Sequence, residues 1–233
     1  MIRSILIAAL MAGTVAGILF TGIQRIQVTP LIAEAELLEN RSETTHMEET
    51  PILDSIPHRH SHIHVHEDEQ PPYLRLLLTL IANILAGIGF ALVVVSGIAL
   101  TGHKGWHIGL LWGLAGFFVF FVAPSLGLKP KVPGTAAADL YMQQIWWIST
   151  VVSSALGLSL LVFTRKTLFK GIGLLLLICP HVVGAPTPEH VTPNAVEQLS
   201  EHFIVAAAIA NGLFWLILGS LSGLFIAKYS SDS

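Results

Sequence analysis

The sequence predicts an all-α integral membrane protein: a bundle of about six transmembrane helices, the fifth short or broken, with a long polar loop after the first. Three observations carry this expectation. Of 233 residues, 53% are hydrophobic and only 12% charged, where a soluble domain carries about a quarter charged. The charges cluster and leave six long uncharged runs. One polar stretch, from Arg25 to Arg75, holds ten of the fifteen acidic residues.

The uncharged runs set the elements in order. Arg3 to Arg25 brackets 21 residues, Arg75 to Lys104 brackets 28, and Lys104 to Lys129 brackets 24. Asp139 to Arg165 brackets 25, Lys170 to Glu189 brackets 18, and Glu201 to Lys228 brackets 26. A bilayer core needs about 20 apolar residues per helix, which five runs supply. The sixth, over 171–186, is short and ends among Pro180, Pro186 and Pro188, as a half-span or re-entrant helix would. The organisation expected is a first span over 1–28, a polar segment over 29–72, five spans over 73–228 and a tail over 229–233.

The first span resembles a signal peptide in its Arg3 and apolar stretch, but no small-x-small cleavage site follows. Ala9, Gly13 and Gly17, four residues apart, suit a retained helix in close contact with another. Gly109 with Gly113, and Gly219 with Gly223, read the same way. Thr29-Pro30 looks like a helix start, predicting a short helix over 30–40 before the polar, proline-containing remainder of the loop. Lys and Arg in the short connections favour the N-terminus inside, with the polar loop, 129–139 and 185–200 outside. The single Cys179 excludes an intramolecular disulfide, and the net charge of −3 gives no sign of nucleic-acid binding.

The polar loop contains PHRHSHIHVHEDE, in which His58, His60, His62, His64 and His66 recur every second residue. Imidazole is the commonest side-chain ligand for borderline divalent metals, and an extended backbone would turn all five rings to one side. A tether that gathers ions is the chemistry this pattern suits.

Four further groups are candidate ligands: Asp139, either the cap of the fourth span or exposed to an outer vestibule; His181, within Pro180-His181-Val182-Val183-Gly184-Ala185-Pro186; and Glu201 with His202. A proline-broken helix at membrane depth is tolerated where it lines a cavity, and a His there points to function. Glu197 shares a helical face with Glu201, and His190 and Glu197 read as a solvated rim. His103 and His107 would form a metal-capable pair on a continuous helix, but Gly102 and Gly105 favour a turn at the interface. Trp146 and Trp147 read as interfacial anchors. Asn83 and Asn211 are the only amides deep within apolar spans, either glue between helices or a polar waypoint in a path.

Several stretches together resemble the CbtA family of cobalt transporter subunits. They are Pro30-Leu31-Ile32 with Ala35-Glu36, GLLWGLAGF at 109–117 running into Ala123-Pro124-Ser125-Leu126-Gly127-Leu128, and Pro133-Gly134. Asp139-Leu140 with Gln144, Trp146 and Trp147, then Pro180-His181 with Gly184-Ala185-Pro186, complete the pattern over about 1–220. The resemblance implies a bacterial inner-membrane, multi-pass protein of cobalt uptake in support of cobalamin synthesis. It also implies a small single-span, His-rich CbtB-type partner. Such families are described with five spans, one fewer than counted here, and the histidine run is an addition to the pattern.

The expected function is a membrane subunit for uptake of a divalent metal: cobalt, with nickel or zinc as alternatives. A membrane accessory that binds or senses metal without transporting it would use the same loop. No GxxxxGK[ST] or HExxH pattern is present, so neither nucleotide hydrolysis nor enzymatic chemistry is expected.

Overall fold

The computed structural model describes residues 1–48, 71–188 and 194–231. Its helices are α1 (Ile2–Gln27), α2 (Thr29–Glu48), α3 (Pro72–Thr101), α4 (Trp106–Phe117), α5 (Ala123–Ser125), α6 (Leu140–Phe163), α7 (Thr167–Val183) and α8 (Asn194–Ser231). A π-helical segment, Phe118–Val122, joins α4 to α5, so Trp106–Ser125 forms one rod. There Ala123 N–H bonds to the Phe118 carbonyl five residues back. Pro124 follows at once and offers no amide to the next carbonyl, which favours the wider turn at this place.

Five helices are long and apolar enough to cross a membrane: Ile2–Gln27, Tyr73–Thr101, Trp106–Ser125, Leu140–Phe163 and Val196–Ser230. α7 is the short sixth. Its 17 residues span about 26 Å at 1.5 Å each, just under the hydrocarbon thickness. The expected break at Pro180 is not there. Pro180 lies inside α7, which continues to Val183 and ends where Gly184 takes φ 84. A proline this close to the end removes one hydrogen bond from the last turns, and glycine supplies the stop. A second correction concerns α2. It extends to Glu48 instead of ending near 40, because a polar composition does not forbid helix.

Glycines decide which helices meet. Gly13 and Gly17 of α1 press on Gly87 and Asn83–Ile84 of α3. Gly109 and Gly113 press on Gly219 and Gly223 of α8, and Gly157 of α6 meets Gly173 of α7. A Cβ on Gly17 would lie 2.7 Å from the Asn83 carbonyl oxygen, and one on Gly157 2.7 Å from that of Gly173. Backbone-to-backbone approach of this kind is how helices associate in lipid, where apolar side chains gain nothing by leaving the solvent. In each pair residue numbers rise on one helix as they fall on the other, so all three pairs are antiparallel.

Around these crossings Ala8, Ala12 and Ala16 of α1, Ala91, Val95 and Ile98 of α3, and Phe214, Trp215 and Leu218 of α8 form the main core. A second cluster covers one end. There Val196, Leu199, Phe203 and Ala207 of α8 pack with Val28, Ala35 of α2 and Val132 of the 126–139 loop. Among the described residues one salt bridge, Arg75 to Glu36 at 2.8 Å, ties α2 to the start of α3. Both groups are exposed, so it orients more than it stabilises. The α6–α7 hairpin stands to one side and reaches the rest mainly through α5 and the π segment, with Phe163 also meeting Trp112 of α4 at 6.2 Å.

Candidate functional site

The five histidines His58, His60, His62, His64 and His66 lie outside the described residues, as does His190. The other four candidate ligands belong to the end of the bundle that carries α2. Asp139 is the N-cap of α6, accepting the Met142 amide at 3.0 Å on Oδ1, so the cap reading accounts for that oxygen. His181 sits two residues before the end of α7, half-buried, with its ring edge-on to Trp146 at 6.0 Å. Glu201 and His202 are exposed on α8, and Glu201 faces away from the stripe Leu199, Phe203, Ala207. Among the described residues no three His, Cys, Asp or Glu side chains converge closely enough to hold a metal.

His103 and His107 do not share a continuous helix face. Gly102 at φ 74 and Gly105 at φ 123 make the turn before α4, and His103 Nδ1 pairs with the Thr101 carbonyl at 2.9 Å. The two tryptophans divide their roles. Trp146 is buried, not an interfacial anchor, and its Nε1 donates to the Pro180 carbonyl at 3.3 Å, joining α6 to the last turn of α7. Trp147 faces the other way, 38% exposed.

Two concave regions meet at Trp147. An open groove of about 570 Å³ is lined by Leu128, Lys129, Lys131, Gln143, Gln144 and Trp147. Lys131 Nζ donates to the Ala136 carbonyl at 3.0 Å, and Gln143 Nε2 to that of Ala138 at 2.6 Å. The groove therefore carries two ammonium groups beside carboxamides. The sequence reading missed it because its residues come from two elements.

The second is a cleft of about 110 Å³ within the bundle. Asn83 of α3 and Asn211 of α8 line it together, with Phe20, Phe90, Phe120 and Trp147 among its walls. Phe90 lies edge-to-face on Phe120 at 5.0 Å and tilted against Trp215 at 4.9 Å, and Phe20 lies tilted against Phe214 at 4.9 Å. Phe120 belongs to the π segment, a placement that the apolar run FVFFV does not signal.

The two amides behave differently. Asn83 Nδ2 donates to Thr21 Oγ1 at 3.0 Å and Gln24 Oε1 at 2.6 Å, while the Thr21 hydroxyl passes on to the Gly17 carbonyl at 2.9 Å. That chain is glue between α1 and α3. Asn211 Nδ2 donates only to Ala207, one turn back on its own helix, at 3.0 Å. It holds no neighbouring helix.

The all-helical bundle, with five helices able to cross a bilayer and a polar cleft between them, defines a multi-pass membrane protein. The chain belongs to the CbtA family, described as "Probable cobalt transporter subunit (CbtA)", whose model matches residues 2–227. The chain is also 31% identical over 165 residues to a "Putative transport protein" of Helicobacter pylori (strain ATCC 700392 / 26695). That match covers 65% of this chain and 39% of the relative, so the chain spans about two fifths of that longer protein. No solved structure matches. The family description and the relative's name both speak of transport.

Proposed function

We propose that this protein is a membrane subunit for uptake of a divalent metal ion, cobalt foremost and nickel or zinc by the same ligand chemistry. The observation that carries the reading is family membership across residues 2–227. In this proposal the chain lies in the bacterial inner membrane with its N-terminus in the cytoplasm, acting with a small single-span, His-rich CbtB-type subunit in support of cobalamin synthesis. The run His58, His60, His62, His64 and His66 raises the local ion concentration outside. His181, Glu201, His202 and the second oxygen of Asp139 then exchange ligands with the ion at the same end of the bundle. Several weak ligands suit transfer better than one tight cage, because an ion held firmly does not move on.

The ion here is cargo. An inside-negative potential contributes about 2.3 kcal/mol per charge per 100 mV, or about 4.6 kcal/mol for a divalent cation. The test is accumulation of cobalt, nickel, zinc and copper in cells expressing this chain with and without the partner subunit. Cobalt accumulation that requires both chains supports the proposal. Metal binding without accumulation would identify a non-transporting accessory or sensor instead. Orientation is read separately with cysteines at Ser61 and Ser231 in a Cys179→Ser background and a membrane-impermeant thiol reagent. Labelling of the Ser231 position alone in intact spheroplasts would invert the topology.

A further inference from the structure

The cleft shared by Asn83 and Asn211 has no role in holding the helices together that would explain Asn211. Both Asn83 amide hydrogens are occupied in the α1–α3 contact, so its Oδ1 stays an acceptor. Asn211 bonds only its own helix, which leaves its Oδ1 in the same condition. A carboxamide oxygen within a hydrocarbon-embedded bundle is costly unless something meets it, and such positions default to function. Counting 1.5 Å per residue, Asn83 lies about 15 Å from Tyr73, about a third of the way along the span Tyr73–Thr101.

Phe20, Phe90, Phe120 and Trp147 contribute aromatic rings, and the two amides contribute oxygens that can ligate a cation. No ammonium, guanidinium or carboxylate lines the cleft. A neutral, oxygen- and π-lined space attracts a cation and holds it weakly. The cleft, about 110 Å³ and partly open, offers an entering divalent cation protein oxygens in exchange for some of its water.

We infer that this cleft is a relay inside the bundle for the transported divalent cation, with the Asn83 and Asn211 carboxamide oxygens as transient ligands. The inference rests on the metal-uptake reading and gives it a place inside the bundle. Trp147 lines both this cleft and the groove of Lys129 and Lys131. The π segment that places Phe120 here departs from α hydrogen bonding, a geometry frequent at working sites.

The first test is cobalt uptake against external concentration, in membranes holding matched amounts of the parent or a variant together with the partner subunit. Asn211→Leu removes the oxygen without breaking a bond between helices. It is expected to lower the maximal rate about 10-fold or more, with half-saturation shifted less than about 2-fold. Asn211→Asp is expected to lower both half-saturation and maximal rate, because a charged ligand holds the ion longer. Parent-like rates in both variants overturn the inference.

A second readout does not depend on transport. In a Cys179→Ser, Ala86→Cys chain, cobalt is expected to slow reaction of the cleft thiol with a small methanethiosulfonate reagent, and Asn211→Ala is expected to abolish that protection. Protection that survives Asn211→Ala, or no protection at all, overturns the relay. If the parent itself accumulates no cobalt while protection is seen, the uptake reading fails and the cation site stands.

Discussion

The contact between α4 and α8 gives the sharpest test of how this bundle is held. A methyl group on Gly219 would lie 2.7 Å from Gly113 Cα and 2.8 Å from its nitrogen, and would also meet the Gly109 carbonyl. These are backbone atoms and cannot rotate away, so the helices must part by about 1 Å to restore carbon contacts near 3.5–4.0 Å. Such a gap forfeits a quarter to a half of wells of about 0.1–0.2 kcal/mol each, so on the order of 35 atom pairs lose about 2 kcal/mol. Alanine recovers about 0.8–1.0 kcal/mol over glycine as a helix former. Gly219→Ala should therefore destabilise by about 1 kcal/mol. Gly89, where a Cβ would meet nothing within 4 Å, keeps only the propensity gain and should be stabilised by nearly 1 kcal/mol on replacement by alanine. Thermal unfolding in mild detergent, followed by the fluorescence of the five tryptophans, reads both. At about 2–4 °C per kcal/mol for a chain of this size, the two Tm values move apart in opposite directions. If both variants rise together, close glycine packing is not what joins α4 to α8.

Three other substitutions separate local roles. Asp139→Asn keeps an N-cap acceptor and should leave the unfolding free energy within about 0.5 kcal/mol of the parent, whereas Asp139→Ala should cost about 1 kcal/mol; cobalt uptake that falls in the Asn variant would make Asp139 a ligand as well as a cap. Gly184 has open space around it but φ 84, so Gly184→Ala should destabilise by about 1–2 kcal/mol through backbone strain alone, and an unchanged melting curve would contradict that. Replacing His58, His60, His62, His64 and His66 together by Asn in the full chain should weaken the cobalt binding seen by calorimetry at neutral pH without lowering Tm. In the parent that binding should fade as pH falls through about 6, where free imidazole takes up a proton and stops being a ligand; equal heats from both chains would remove the run from the mechanism.

Much of the architecture was legible in one dimension. Charges cannot enter the hydrocarbon cheaply, so the intervals Arg3–Arg25 and Asp139–Arg165 delimit α1 and α6 to within a few residues. The paired glycines of α1, α4 and α8 announced close contacts, which the structure supplies. What the sequence could not show was which faces meet. Asn83 and Asn211 were visible as anomalies, but their convergence on one cleft depends on α3 and α8 both packing on α1. The continuation of α2 to Glu48 was missed because a solvated helix and a coil share one composition. The π segment was missed because FVFFV is uniformly apolar, and Pro124 alone marks it. Pro180 misled in the opposite direction, since a proline one turn from a helix end bends little and breaks nothing.

The pairing of α8 with both α1 and α4 has a consequence for synthesis. The last helix supplies Phe214, Trp215, Leu218 and Ile226 to the main core, so that core cannot close until nearly the whole chain has left the ribosome. About one hundred residues separate the end of α5 from Ile226, which at ~5–20 residues per second is some 5–20 s. For that interval the glycine face of α4 lies against lipid or against whatever helper shields it, while the α6–α7 hairpin, which needs neither terminus, is made and folds between. Maturation is thus a ring closing on its final segment, and a truncation that removes α8 leaves the pair α1–α3 and the rod of α4 joined only by contacts such as Gly97 against Trp112.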